Sequence, residues 1–111
     1  MIDVTLNSAS RASDGDRPAL LAVKLQAPGW ELNLQASPSE LEHLRDIRGA
    51  DWTTRRSLHL GQSAGAPVHW AIDDDTVTVM VGQDDETWDI SIQVPLDTVE
   101  RIVAEVDARN W

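Results

Sequence analysis

The sequence predicts an α+β fold: a single twisted antiparallel β-sheet of about six or seven strands with two α-helices on one face. A partly closed β-barrel with flanking helices is the alternative. Three observations carry this expectation. Apolar and polar residues alternate with period two along most of the chain, the signature of strands that bury one face. The strands are apolar on one side only, which argues against a parallel sheet covered by helices on both faces. Finally, Trp30-Glu31-Leu32-Asn33-Leu34-Gln35 is echoed by Trp88-Asp89-Ile90-Ser91-Ile92-Gln93, and Leu41-Glu42-His43-Leu44 by Val99-Glu100-Arg101-Ile102. Such an echo predicts a ββα unit used twice, over roughly residues 19–48 and 76–108, within one domain spanning 1–111.

The first strand alternates Ile2, Val4 and Leu6 with Asp3, Thr5 and Asn7. A polar loop follows, Ser8 to Pro18. Leu21, Val23 and Leu25 face inward in the second strand, Pro28-Gly29 turns the chain, and Trp30, Leu32, Leu34 and Ala36 face inward in the third. A helix then starts at Ser37-Pro38-Ser39-Glu40-Leu41-Glu42, where two capping boxes overlap, Ser37 with Glu40 and Ser39 with Glu42. The repeat favours the second, because Asp97 and Glu100 stand at the matching places. Leu41, Leu44 and Ile47 form its buried stripe, and Gly49 ends it.

Alternation resumes through Leu58 and Leu60, and a loop rich in small residues leads to Val68, Trp70 and Ile72. Asp73-Asp74-Asp75 turns the chain into Val77, Val79 and Val81. A second acidic turn leads to Trp88, Ile90, Ile92 and Val94. Trp30 and Trp88 are thereby expected at equivalent core positions. A last helix runs from about Asp97 to Asp107, with Val99, Ile102, Val103 and Val106 at helical spacing. Asp97–Arg101 and Glu105–Arg109 offer i,i+4 pairs on its outer face.

A length of 111 residues supports one core without disulfides or metals, and the chain has no cysteine. The net charge is −10. Nearly all of it falls after residue 56, where Arg101 and Arg109 stand against many carboxylates. Such a field repels nucleic-acid phosphate and speeds encounter with a basic protein. The start of the chain lacks a secretion signal, and no apolar run approaches the ~20 residues that span a bilayer. A cytoplasmic protein without membrane or nucleic-acid contacts is expected.

Catalytic motifs fail on context. Gly61-Gln62-Ser63-Ala64-Gly65 matches the serine-hydrolase pattern, but Pro67 and a strand follow where the mechanism needs a helix. His59 and His69 can face each other across a hairpin, yet no close carboxylate completes a metal site. We therefore expect no catalytic residues, no cofactor and no metal. The alternative is a small-ligand-binding or enzymatic domain using His59, His69 and Ser63.

Recognition is the better use of the remaining features. The carboxylates of Asp73, Asp74 and Asp75, and of Asp84, Asp85, Glu86 and Asp89, are expected to steer a basic partner, with Trp52, Trp111 and Met80 as candidate anchors. In size, charge and lack of catalytic groups the chain is similar to bacterial immunity proteins, small antagonists that cover a toxin domain. The expected function is thus a non-enzymatic, protein-binding antagonist or accessory factor. A homodimeric scaffold pairing through a sheet edge is a further alternative.

Overall fold

The alternating segments do form strands, and the computed structural model describes residues 2–11, 18–84 and 86–109. In chain order these are β1 (Asp3–Arg11), β2 (Pro18–Ala27) and β3 (Trp30–Ala36), then α1 (Pro38–Glu42) and 3-10 helical turns at His43–Gly49 and Trp52–Thr54. After them come β4 (Leu58–Ser63), β5 (Ala66–Asp73), β6 (Thr76–Gly82), β7 (Trp88–Pro95) and α2 (Leu96–Ala108). The seven strands form one antiparallel sheet in sequential order, β1 to β7. Among the described residues β1 and β7 are its two edges, so the sheet is open rather than a closed barrel. No helix of the described residues is long and apolar enough to cross a membrane.

Register follows the hydrophobic pattern. Val23 stands opposite Leu34 and Leu25 opposite Leu32 in β2–β3, and Val79 opposite Ile92 in β6–β7. Slipping any of these by one residue would turn the whole apolar set outward. The main core joins these side chains and Trp70 to Leu41, Leu44 and Ile47 after β3 and to Val99, Ile102, Val103 and Val106 of α2. Trp70 is fully buried, and its indole Nε1 donates to the Leu60 carbonyl at 3.0 Å, which satisfies its one polar atom.

Three local expectations are corrected. β1 continues to Arg11 through register shifts between Ser8 and Arg11, so the predicted loop at Ser8 to Pro18 is largely strand at its start. The capping box in use is the first one: the Ser37 hydroxyl accepts from Glu40 N, and Glu40 Oε1 accepts from Ser37 N at 2.9 Å. In α2 the N-cap is Pro95, not Asp97, and the Asp75 carbonyl accepts from Leu96 N at 2.8 Å. The helix after β3 is α-helical only to Glu42 and then tightens to 3-10 geometry. Its buried residues, Leu41, Leu44, Ile47 and Ala50, recur strictly every third position. Three residues per turn keeps that stripe in line, whereas an α-helix would rotate it away.

The sheet narrows to a seam between β3 and β4, where the ladder among the described residues is the single pair Gln35–Gln62. Gly61 approaches β3 there with φ 85°, and a Cβ on it would lie 2.7 Å from the Gln35 carbonyl oxygen. Glu40 bridges the seam. Its Oε2 accepts from Gly61 N at 3.0 Å while its other oxygen closes the capping box. Ser63 Oγ adds a bond to the Asn33 carbonyl at 2.6 Å.

Burial acts to raise the Glu40 pKa, but the Ser37 and Gly61 N–H groups, the Ser37 hydroxyl and the nearby His59 charge outweigh it, and the carboxyl titrates below its usual value. A carboxylate depressed on folding contributes stability above the unfolded pKa of about 4.3, and this is lost as pH falls through the folded value. Glu40→Gln should therefore cost about 1–2 kcal/mol at neutral pH. In urea unfolding the gap between variant and wild type should close as pH falls through the depressed pKa of the folded state. A gap independent of pH would show that the Glu40 charge does not hold the seam.

Candidate docking site on the second face of the sheet

Across β5 and β6 the sheet is covered on both sides, against the expectation of one wet, polar face. Met80, only 1% exposed, and Ala71 are buried outside the main core. His69 is buried with them, opposite Met80 in the ladder. Two tryptophans form the rim of this second layer.

Trp88 reaches it through a β-bulge. Val81 pairs with Ile90, but Gly82 pairs with Trp88, so the register shifts by one between them. Paired residues share a face, so Trp88 joins the side of Met80 while Ile90 stays on the side of Val81. The bulge brings Gly82 so close to β7 that a Cβ on it would lie 2.3 Å from Trp88 Cα and 2.8 Å from the Thr87 carbonyl oxygen. Only glycine fits. Trp88 is consequently 38% exposed and Ile90 53% exposed, and neither occupies the predicted core position. Trp30, by contrast, is half-buried against the main core. The two tryptophans of the sequence echo lie in unrelated surroundings.

Trp52 arrives from the other side. β4 stops pairing with β5 at Leu58–Trp70, leaving the end of β5 free, and the chain at Ala50–Asp51 takes the vacant place. Ile72 N donates to the Ala50 carbonyl at 2.9 Å. Asp51 Oδ1 then caps the next turn, accepting from Thr53 N at 3.0 Å and from the Thr53 hydroxyl at 2.9 Å. Arg55, in the left-handed region at φ 60°, closes the turn and lays its guanidinium carbon 4.3 Å from the centre of the Trp52 ring. The rings of Trp52 and Trp88 meet edge to face, centroids 6.3 Å apart at 74°.

Beside this pair lies a cavity of about 470 Å³ lined by Trp52, Trp88, Met80, Thr78, Asp73 and Asp74, with Ser91 and Gln93 along β7. Of the residues singled out from the sequence, the fold thus assembles Trp52, Asp73, Asp74 and Met80. Met80 forms the floor and is too buried to serve as an exposed anchor. Asp75, in the same turn, is engaged by Arg48: Nη2 donates to its carboxylate at 2.9 Å and Nη1 to the Asp74 carbonyl at 3.2 Å. Asp74 turns the chain at φ 55°.

The other acidic turn lies at the opposite end of β6. Asp84 organises it, its Oδ1 accepting from the Thr87 hydroxyl and from the N–H groups of Glu86 and Thr87 at 2.6–2.8 Å. The Thr87 hydroxyl first, then the two N–H groups, hold this carboxyl below its usual pKa. Glu86 and Asp89 are exposed. Asp85 and Trp111 lie outside the described residues, as does the acidic turn Asp14-Gly15-Asp16.

The histidine region is a separate place. His59 and His69 are paired across β4–β5 with ring centroids 4.9 Å apart. His59 lines, with Glu40 and Gly61, a cleft of about 350 Å³. The Ser63 hydroxyl is turned to the Asn33 carbonyl. No group of three or more His, Asp or Glu among the described residues could hold a metal ion.

Trp88 is the site residue that alternation misplaces, and Gly82 at the strand end is the signal that points to it, since an isolated glycine in a strand pattern marks a bulge. Gly82→Ala should cost about 1–3 kcal/mol by forcing the two backbones apart. It should also alter the tryptophan near-UV circular dichroism that the Trp52–Trp88 pair contributes. An alanine variant with unchanged stability and spectrum would contradict this geometry. No protein-family model, curated protein or solved structure matches the chain.

Proposed function

We propose that the protein is a small, acidic, non-enzymatic binding domain that docks on a basic protein partner, an antagonist or accessory factor of immunity-protein character. The observation that carries this reading is the half-exposed Trp52–Trp88 pair beside a cavity rimmed by the Asp73 and Asp74 carboxylates. Aromatic anchors surrounded by charge are what an interface hot spot needs. The ring of Trp52 already stacks with one guanidinium, that of Arg55, so a partner's arginine meets a surface suited to it.

The net charge of −10 supports steering of such a partner, with Glu86 and Asp89 extending the field to the far end of β6. On this reading both helices share the opposite face of the sheet and brace it, leaving the tryptophan face for contact. The participation of both helical segments in the main core supports that arrangement. The two ββα units, β2–β3–α1 and β6–β7–α2, would then be one module used twice, with the docking bulge in the second copy alone.

The test is affinity capture from the native host with the wild-type protein, with Trp88→Ser and with the double variant Asp73→Lys, Asp74→Lys. A basic protein retained by the wild type and lost by both variants is the expected result. Its measured association rate should fall on the order of tenfold or more between low and high salt. If the variants retain the same partners as the wild type, the tryptophan face is not the docking surface.

A further inference from the structure

The two edges of the sheet differ. At the start of β1 two arginines, Arg101 of α2 and Arg109 just after it, reach the backbone: Arg101 Nη2 donates to the Ile2 carbonyl at 2.5 Å and Arg109 Nη1 to the Leu6 carbonyl at 2.9 Å. Carbonyls capped by guanidinium groups cannot pair with an incoming strand, a common protection of sheet edges. The β7 edge has a different character. Of its residues only Val94 is buried, and the two large hydrophobic side chains exposed among the described residues, Trp88 and Ile90, both belong to it. From Trp88 to Val94 it contains no lysine and no proline, and its one charge is Asp89. Its bulge is confined to the Trp88–Ile90 end, and from Ile90 to Val94 the strand pairs regularly with β6 and carries no charge, which makes it a template for strand addition.

We propose that β7 pairs antiparallel with β7 of a second copy, about a two-fold axis through Ser91. The sequence of the edge selects a copy of itself as the occupant. Asp89-Ile90-Ser91-Ile92-Gln93 is palindromic in polarity about Ser91. The two-fold pairing therefore sets Ile90 opposite Ile92 of the second copy, an apolar cross-strand pair, and Asp89 opposite Gln93, which can donate to it. No like charges meet along the strand, although the chain as a whole is strongly acidic. The pairing joins two sheets into one of fourteen strands and covers Ile90. Ser91 and Gln93 also line the tryptophan cavity, so the dimer sets two such cavities on one face, either side of the axis. The inference does not rest on the proposed partner, because it is tested with the isolated protein.

The experiment combines sedimentation equilibrium with two variants. Wild-type protein at about 100 µM should be a dimer, as expected of an interface in the stable range. Ile90→Lys places a lysine on an already exposed position, so it should keep its circular dichroism spectrum and melting temperature at low concentration. It should raise the dimer dissociation constant at least about tenfold. Ser91→Cys brings two sulfurs together at the axis, where directly opposed Cα atoms are ~4.5–5.5 Å apart and within disulfide reach. The chain is free of cysteine, so mild oxidation should link Ser91→Cys into a covalent dimer much faster than Gln26→Cys, an exposed control on β2. A monomeric wild type, or a dimer that lacks either response, overturns the proposal.

Discussion

The site on the second face exists because two backbones touch at Gly82. The approach of Trp88 and Thr87 leaves no room for a Cβ, and the extra residue it forces into β7 moves Trp88 to the face opposite Ile90. Without that bulge the alternation of β7 would carry Trp88 into the main core beside the valines of β6. With it, a large aromatic surface stands on the side of Met80, where Trp52 meets it. Everything proposed about docking follows from this one local departure from period two, a familiar use of bulges to re-aim a side chain.

The rest of the fold holds that face in place from a distance. The turn Asp73–Thr76 is pinned from both sides, by Arg48 on the Asp75 carboxylate and by the first N–H of α2 on the Asp75 carbonyl. Trp52 is carried by a segment that replaces β4 beside the end of β5, so its position depends on the seam where β4 joins the sheet. Glu40 spans that seam with both carboxylate oxygens engaged.

Much of this fold was legible in the residues. The strands in their order along the chain, their single antiparallel sheet and both helical segments follow from alternation, turn dipeptides and the spacing of apolar side chains. What was not legible arises where local pattern and tertiary packing disagree. Ser37 rather than Ser39 caps the first helix because Glu40, not Glu42, can reach Gly61 as well. Met80 and Ala71 sit at outward positions of their strands and are nevertheless buried, with Trp52 and Trp88 beside Met80, a fact no single strand encodes. The strict three-residue spacing of Leu41, Leu44, Ile47 and Ala50 did encode the 3-10 turn, but it resembles an α-helical stripe over so short a stretch. Of the candidate site, Trp52, Asp73 and Asp74 were visible as residues outside the core pattern. Trp88, the residue that completes it, was concealed by its own regular surroundings.

The most direct test of this account is the set of through-space proton contacts of the Trp88 indole, measured by nuclear Overhauser spectroscopy on isotopically labelled protein. Contacts from that ring to the Met80 methyl group and to the Trp52 ring are predicted. Contacts to the methyl groups of Val79, Val81 or Val99, which would return Trp88 to the main core, would contradict it.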